Sequence, residues 1–323
     1  MTVAVRLAPM SPERYLSWVP ETTAGFAVQQ VASGAMPERE AREYAEREFD
    51  KLLPEGLLTP GHHVWSAYDD DVAVGYLWLR VREQSVGAEA FVFDVAVTPD
   101  LQGRGYGRAV MLAAEEKARA LGATEMKLTV FGHNVAAQRL YQGLGYETAS
   151  TQMARRLDRT EPLTLPGAPA LRLEPMTQEQ FDTYRPQAEE SYATTIAESG
   201  MQPAAEARER SAADFSRLLP QGLITPEHFF WTAYDGQLDV GLIWLNIRQR
   251  SDGLHAFGYD FLVQEELRRH GYGRAIVVAG ERICRDRDVV SVGLNVFGHN
   301  DGARSLYEQM GFQVTAALLK KHL

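Results

Sequence analysis

Two stretches of this chain are built to hold an anion on their own backbone. FVFDVAVTPDLQGRGYGRAVMLAAEEKA (91–118) reads as an apolar strand, a glycine-dense turn and a helix that starts inside the turn. Gly105 and Gly107 have no Cβ, so the amides of Gly103, Arg104, Gly105, Tyr106, Gly107 and Arg108 can crowd around a ligand. The helix start adds unpaired N–H groups and a partial positive charge. This is the chemistry of a pyrophosphate cradle. FGYDFLVQEELRRHGYGRAIVVAGERI (257–283) repeats it with the amides of Arg269, His270, Gly271, Tyr272, Gly273 and Arg274. A Walker A loop needs Gly-Lys followed by Ser or Thr, which neither stretch has. A dinucleotide fingerprint needs G-x-G-x-x-G, and the spacing misfits in both. What the two share is Gln/Arg-x-x-Gly-x-Gly: Gln102, Gly105 and Gly107, then Arg268, Gly271 and Gly273.

A second chemical signal sits just upstream. Asp94 and Asp260 interrupt otherwise apolar strands. A carboxylate there either bonds the loop amides or, if buried, has its pKa raised and becomes a better base.

These coincidences have one origin, because the chain contains itself twice. Sliding it by 166 residues, the interval from Gly105 to Gly271, lays it on itself without a gap. LLPEGLLTPGHHVWSAYD (52–69) meets LLPQGLITPEHFFWTAYD (218–235), and VFGHN recurs at 130–134 and 296–300. Residues kept in both copies are candidates for shared architecture or chemistry, and residues found in one copy are poor candidates. The single cysteine, Cys284, meets Ala118, so a catalytic thiol is not expected. His62-His63 meets His228-Phe229 without a second ligand cluster, so no metal site is expected either.

The elements that must position these residues follow the same order in each copy. Val3–Leu7 and Ala170–Leu173 alternate as strands, and a helical region follows from Ser11. Pro37 opens a second helix. His63–Tyr68 and Val72–Arg82 form a hairpin, Ala90–Val97 a strand, and Gly105–Leu121 a helix closed by Gly122. Met126–Phe131 is a strand, Val135–Leu144 a helix stopped by Gly145, and a last strand ends near Leu157. The order β-α-α-β-β-β-α-β-α-β implies a mixed α/β (α+β) sheet with helices on both faces. Proline and glycine in RTEPLTLPGAPA (159–170) mark a linker. The expected division is a domain at 1–157, a linker at 158–169 and a domain at 170–323.

Bulk properties narrow the class. A net charge of −10 argues against a nucleic-acid partner. The longest apolar runs are strand-length, which argues against a membrane span. One cysteine and an N-terminus without a basic, apolar leader suit a reducing, cytoplasmic setting.

The glycine loop resembles motif A of the GNAT acyltransferases (GCN5-related N-acetyltransferases), which wraps the pyrophosphate of acetyl-CoA. VFGHNVAAQRLYQGLGY (130–146) and VFGHNDGARSLYEQMGF (296–312) are similar to motif B of that family. Each copy resembles the small single-domain bacterial GNAT enzymes, here duplicated and fused in tandem. The resemblance implies two GNAT folds, acetyl-CoA as cosubstrate and transfer of the acetyl group directly to a primary amine of a small molecule or peptide. It implies that Tyr141 and Tyr307 face the CoA sulfur as general acids and that Asp94 and Asp260 deprotonate the amine, most simply through water. It implies that Val95, Ala96 and Val97, with Phe261, Leu262 and Val263, offer backbone groups to the pantetheine arm. Asn134 and Asn300 are implied near that arm, although an asparagine before a helix is also a good N-cap. The same resemblance leaves two alternatives, one catalytic half beside a structural or regulatory one, and a non-catalytic CoA-binding protein. The segments expected to set acceptor specificity, 20–36 and 186–202, differ strongly between the copies.

Overall fold

The computed structural model describes residues 3–34, 36–84, 87–158, 169–199, 202–298 and 300–323. The linker expected at 158–169 therefore lies almost wholly outside the described residues.

The first repeat forms β1 (Arg6–Pro9), α1 (Pro12–Ala32), α2 (Glu38–Leu52), β2 (His62–Asp69), β3 (Val72–Glu83), β4 (Ala88–Val97), α3 (Tyr106–Ala120), β5 (Ala123–Phe131), α4 (Val135–Gly143) and β6 (Glu147–Arg156). The second forms β7 (Arg172–Pro175), α5 (Gln178–Glu198), α6 (Ala204–Leu218), β8 (His228–Asp235), β9 (Leu238–Arg250), β10 (Gly253–Val263), α7 (Tyr272–Asp286), β11 (Val289–Phe297), α8 (Asp301–Gln309) and β12 (Gln313–His322). The element order read from the pattern is the order observed. The first strand starts later than its alternation suggests, at Arg6 rather than Val3, because its partner β2 runs out: Arg6 faces Tyr68, and the chain turns away at Asp70.

The chain folds into two compact units whose limits differ from the repeat boundaries. Unit 1 comprises Met1–Thr148 and Thr315–Leu323, and unit 2 comprises Ala149–Val314. In unit 1, β1 to β4 pair antiparallel in sequence, β4 pairs β5 parallel, and β5 is finished by antiparallel β12. In unit 2, β7 to β10 pair antiparallel, β10 pairs β11 parallel, and β11 is finished by β6. Each sheet is thus completed by the last strand of the other repeat. The division expected at 157 and 170 treats each repeat as self-contained, and the terminal strands depart from it.

The exchanged strands are anchored by apolar and ionic contacts at equivalent positions. Met153 of β6 is buried in the core of unit 2, and Leu319 of β12 in that of unit 1. Arg155 reaches Glu281 on α7 at 2.7 Å, and Lys321 reaches Glu115 on α3 at 2.7 Å. Both glutamates are almost fully buried, at 4% and 3% side-chain exposure. A carboxylate that deep is tolerable only with its cation in place.

Candidate active site

The site begins where two strands part. β4 pairs with β5 from Ala88 to Val92 and no further, while its pairing with β3 runs on to Val97. β10 leaves β11 after Gly258 and stays on β9 to Val263. Val95–Val97 and Phe261–Val263 therefore lie on strand edges opened by a splay, where an extended ligand can add as a strand does.

A bulge shapes each splay. Trp78 pairs with Asp94 and Leu79 with Val92, so Phe93 is the extra residue; Tyr259 is its counterpart. A bulge re-aims the side chains beside it. The Phe93 ring stacks on Trp78 at 4.7 Å and Tyr259 on Trp244 at 4.6 Å. Each tryptophan donates its indole N–H to a histidine Nδ1, Trp78 to His62 at 3.0 Å and Trp244 to His228 at 2.9 Å. Burial foremost, then the Arg80 charge, depresses His62 to a pKa of about 4, so it stays neutral. These histidines brace the bulge.

The two strand aspartates flank the openings. Tyr76 donates its hydroxyl to Asp94 Oδ2 at 2.8 Å and itself accepts from Thr22 at 3.2 Å. Tyr184 donates to Asp260 Oδ2 at 3.0 Å. Burial raises both carboxyls, Asp260 to about 6, and the tyrosine hydrogen bond is the leading opposing influence in each. Tyr141 and Tyr307 are buried on α4 and α8. Burial, then the negative charge of Asp94, raises Tyr141 to about 12. Burial and Asp260 raise Tyr307 in the same way. Each unit thus brings its predicted aspartate and tyrosine within electrostatic reach.

The glycine loops divide their labour residue by residue. Gly105 and Gly271 are the N-caps of α3 and α7 in the left-handed region, at φ +92° and +87°. The first intrahelical bonds come from Ala109 and Ala275, so the amides of Tyr106, Gly107 and Arg108, and of Tyr272, Gly273 and Arg274, precede the ladder. Gly107 and Gly273 serve packing instead, since a Cβ there would come within 3.3 and 3.4 Å of Leu140 and Leu306. Side chains around the loop are largely committed to the protein. Tyr106 donates to Asp69 and Tyr272 to Asp235. Gln102 donates to the Val97 carbonyl, Arg108 to the Gly143 carbonyl and Arg274 to Gln309. Arg268 stands 3.9 Å from Glu265. Gly103, Arg104, Arg269 and His270 are exposed on the loop, and Arg269 adopts a φ of +65° without glycine's freedom. The loop therefore offers an anion its backbone, with the exposed cationic side chains of Arg104 in one unit and Arg269 in the other beside it.

Asn134 and Asn300 cap α4 and α8, their side-chain oxygens accepting from Ala137 and Ala303 at 3.1 Å. Only their NH2 groups can turn to a cofactor. His133 hydrogen-bonds Gln29 at 2.6 Å, and its counterpart His299 lies outside the described residues. Cys284 is fully buried, and burial followed by Glu281 raises it to about 12, which keeps it a thiol.

Unit 2 holds a cavity of about 930 Å³. It runs from Gln264 and Leu262 on the opened strand, past Asp260 and Tyr184, to Arg210 and Asp214 on α6. Residues that sequence comparison missed are those around the aspartates, Thr22, Tyr76 and Tyr184, together with the bulge residues. His62 and Trp78 did carry a signal, since both recur in the second repeat.

Gly105→Ala and Gly271→Ala are each expected to cost about 1–2 kcal/mol, because an L-residue pays that in the left-handed region. Each is also expected to weaken the hold of the loop on an anionic ligand by misdirecting the first amides. Thermal melts and titration calorimetry check the two effects.

A splayed mixed sheet, a cap-glycine loop on the next helix and a tyrosine-bearing helix across the opening define an acyl-CoA N-acyltransferase fold. The family model for acetyltransferase (GNAT) proteins matches residues 27–146 and again 185–312. The chain belongs to that family and is an acyltransferase. Over 156 residues it is 31% identical to the uncharacterized N-acetyltransferase YycN of Bacillus subtilis, covering 48% of this chain and 100% of that protein. Over 265 residues it is 28% identical to a mycothiol acetyltransferase of Acidothermus cellulolyticus, covering 77% of this chain and 76% of that protein. A GCN5-related N-acetyltransferase structure from Sphaerobacter thermophilus aligns over 98% of this chain and 95% of that one, with a TM-score of 0.52 at 20% identity, a likeness of fold.

Proposed function

We propose that both units bind acetyl-CoA and pass its acetyl group directly to a primary amine of a small molecule or peptide. The observation that carries this is the recurrence in both units of the whole set: open splay, cap-glycine loop, strand aspartate and helix tyrosine.

Acetyl-CoA supplies the activated acyl group as a thioester. The residues fit it: the first amides of α3 and α7 precede the helical ladder and could hold its diphosphate, and the opened strand edges suit an extended arm. Asp94 and Asp260 take a proton from the ammonium form of the acceptor, whose reference pKa is near 10.4. Burial has raised their own pKa values, which narrows the gap to the amine. Tyr141 is a weaker acid than the free side chain, so full proton transfer to sulfur is less favourable than reference values suggest. Its service is a hydrogen bond to the departing sulfur. Burial is the larger influence raising Tyr141 and remains, but once Asp94 has gained the amine's proton the lesser one is neutralised, which makes the hydroxyl a better hydrogen-bond donor as the sulfur departs.

The acceptor ends differ. An aromatic pair recurs in both, Phe26 against Phe131 and Tyr192 against Phe297, and the difference lies beside it, where Tyr44 stacks on Phe26 at the position that Arg210 holds in unit 2. Unit 2 has Arg210 and Asp214 beside Tyr192, Phe297 and Asn295. Different amines are therefore assigned to the two units.

The test is an amine-library screen following CoA release by the intact chain and by Asp94→Asn and Asp260→Asn. Isolated repeats are unsuitable, since each unit's sheet ends in a strand of the other repeat. Loss of different amines in the two variants supports two working sites. One inactive and one unaffected variant would assign catalysis to a single half, and no CoA release with any amine would leave a binding protein. Because Asp260 has a pKa of about 6, turnover in Asp94→Asn is expected to fall as pH drops through about 6, where the carboxylate protonates. A pH–rate profile reads this directly.

A further inference from the structure

The two repeats deliver a tyrosine hydroxyl to the same carboxylate oxygen from different places in the chain. In unit 1 the donor is Tyr76 on β3, a position that holds Leu242 in the second repeat. In unit 2 the donor is Tyr184 on α5, a position that holds Trp18 in the first. Both hydroxyls meet Oδ2 of the strand aspartate, at 2.8 and 3.0 Å. Two positions have changed residue type, and the hydrogen bond has stayed. A tyrosine that only filled space would leave its hydroxyl's destination free to drift. Here the β3 donor is gone and the helix supplies it instead, so the constant quantity is the donor on the aspartate.

We propose that Tyr76 and Tyr184 are positioning residues that fix the Asp94 and Asp260 carboxylates as proton acceptors for the incoming amine. The inference rests on reading those aspartates as bases.

The physical reason is desolvation. Burial favours the protonated acid, which cannot accept a proton from the amine. A hydroxyl donor favours the ionised form, and in both units it is the largest opposing influence. The main-chain N–H of Val95 or Phe261 assists. The groups acting with Asp94 are Tyr76 from β3, Thr22 from α1 and Tyr141 from α4. Those acting with Asp260 are Tyr184 from α5 and Tyr307 from α8. Charged residues sharing the unit 2 cavity are Glu179, Arg210, Asp214, Arg217 and Asp239. The acidity of Asp260 is set by burial, Tyr184 and the Phe261 N–H.

The experiment uses the full chain with one unit silenced. In an Asp260→Asn background, Tyr76→Phe, Tyr76→Leu and the double change Trp18→Tyr with Tyr76→Leu are compared by kcat/KM against pH; the double change transplants the unit 2 arrangement. Removing a hydrogen bond to a charged group is expected to move the acidic limb upward by about one to two pH units. The KM for acetyl-CoA is expected to stay constant, and the transplant to bring the limb back. The reciprocal set, Tyr184→Phe and Tyr184→Trp with Leu242→Tyr in an Asp94→Asn background, is expected to behave alike. An unmoved limb in Tyr76→Phe and Tyr184→Phe would overturn the proposal while leaving the base reading intact. Wild-type turnover in the Asp94→Asn/Asp260→Asn double variant would overturn both.

Discussion

The Tyr141→Phe/Tyr307→Phe double variant is expected to acetylate every acceptor about 10² to 10³ times more slowly than the intact chain, the range that one hydrogen-bond donor to a developing charge supplies. The fold should survive, because phenylalanine keeps the buried ring of each site and removes one hydroxyl. Each single variant is expected to slow its own unit's amines by that factor and spare the other's. Acetyl-CoA affinity, read by calorimetry, should change little, since the loss falls on a group that acts as the sulfur departs. The pH profile reports the surroundings of the phenol. Tyr141 ionises only near 12, because burial and then Asp94 hold it up, so it imposes no alkaline limb below that value. An alkaline limb near 10 that vanishes in Tyr141→Phe would show an ordinary, unburied phenol and contradict this account.

Lys321→Met is expected to destabilise unit 1 by about 3–5 kcal/mol, although residue 321 belongs to the second repeat. Its ammonium is the 2.7 Å partner of Glu115, which has 3% side-chain exposure. Without it a charge remains buried, answered by Arg119 at 3.5 Å and by the Tyr146 hydroxyl. Arg155→Met should do the same to unit 2 through Glu281. For units of this size the loss corresponds to roughly 10 °C or more in the melting transition. Replacing both partners, Glu115→Leu with Lys321→Met, should recover most of it, because a well-packed apolar pair is often no worse than a buried ion pair. Calorimetric melts of the three variants provide the measurement. A Lys321→Met protein melting within 2 °C of the parent would mean that β12 does not close the sheet of unit 1.

The glycine loops, the strand aspartates and the helix tyrosines were readable because each rests on local chemistry. A cap glycine needs a left-handed φ wherever the helix goes, and Gly105 and Gly271 have it. A carboxylate inside an apolar strand announces an unusual environment. The tyrosines that steady those carboxylates were not readable, and the repeat comparison itself hid them. Tyr76 meets Leu242 and Tyr184 meets Trp18, so each looks like a residue of one copy alone. A position-by-position comparison cannot see that two different backbone sites reach one oxygen.

By itself the sequence determined the duplication, the order of elements in each repeat and the backbone cradle at the start of α3 and α7. Those depend on period, on caps and on glycine, which act over a few residues. The tertiary structure alone decided which sheet each terminal strand joins and which hydroxyl meets each aspartate. β6 and β12 carry matching apolar and cationic residues, Met153 with Arg155 and Leu319 with Lys321, so either strand suits either edge by pattern. The choice between partners that are equal by pattern is made by packing across hundreds of residues, to which local periodicity is blind.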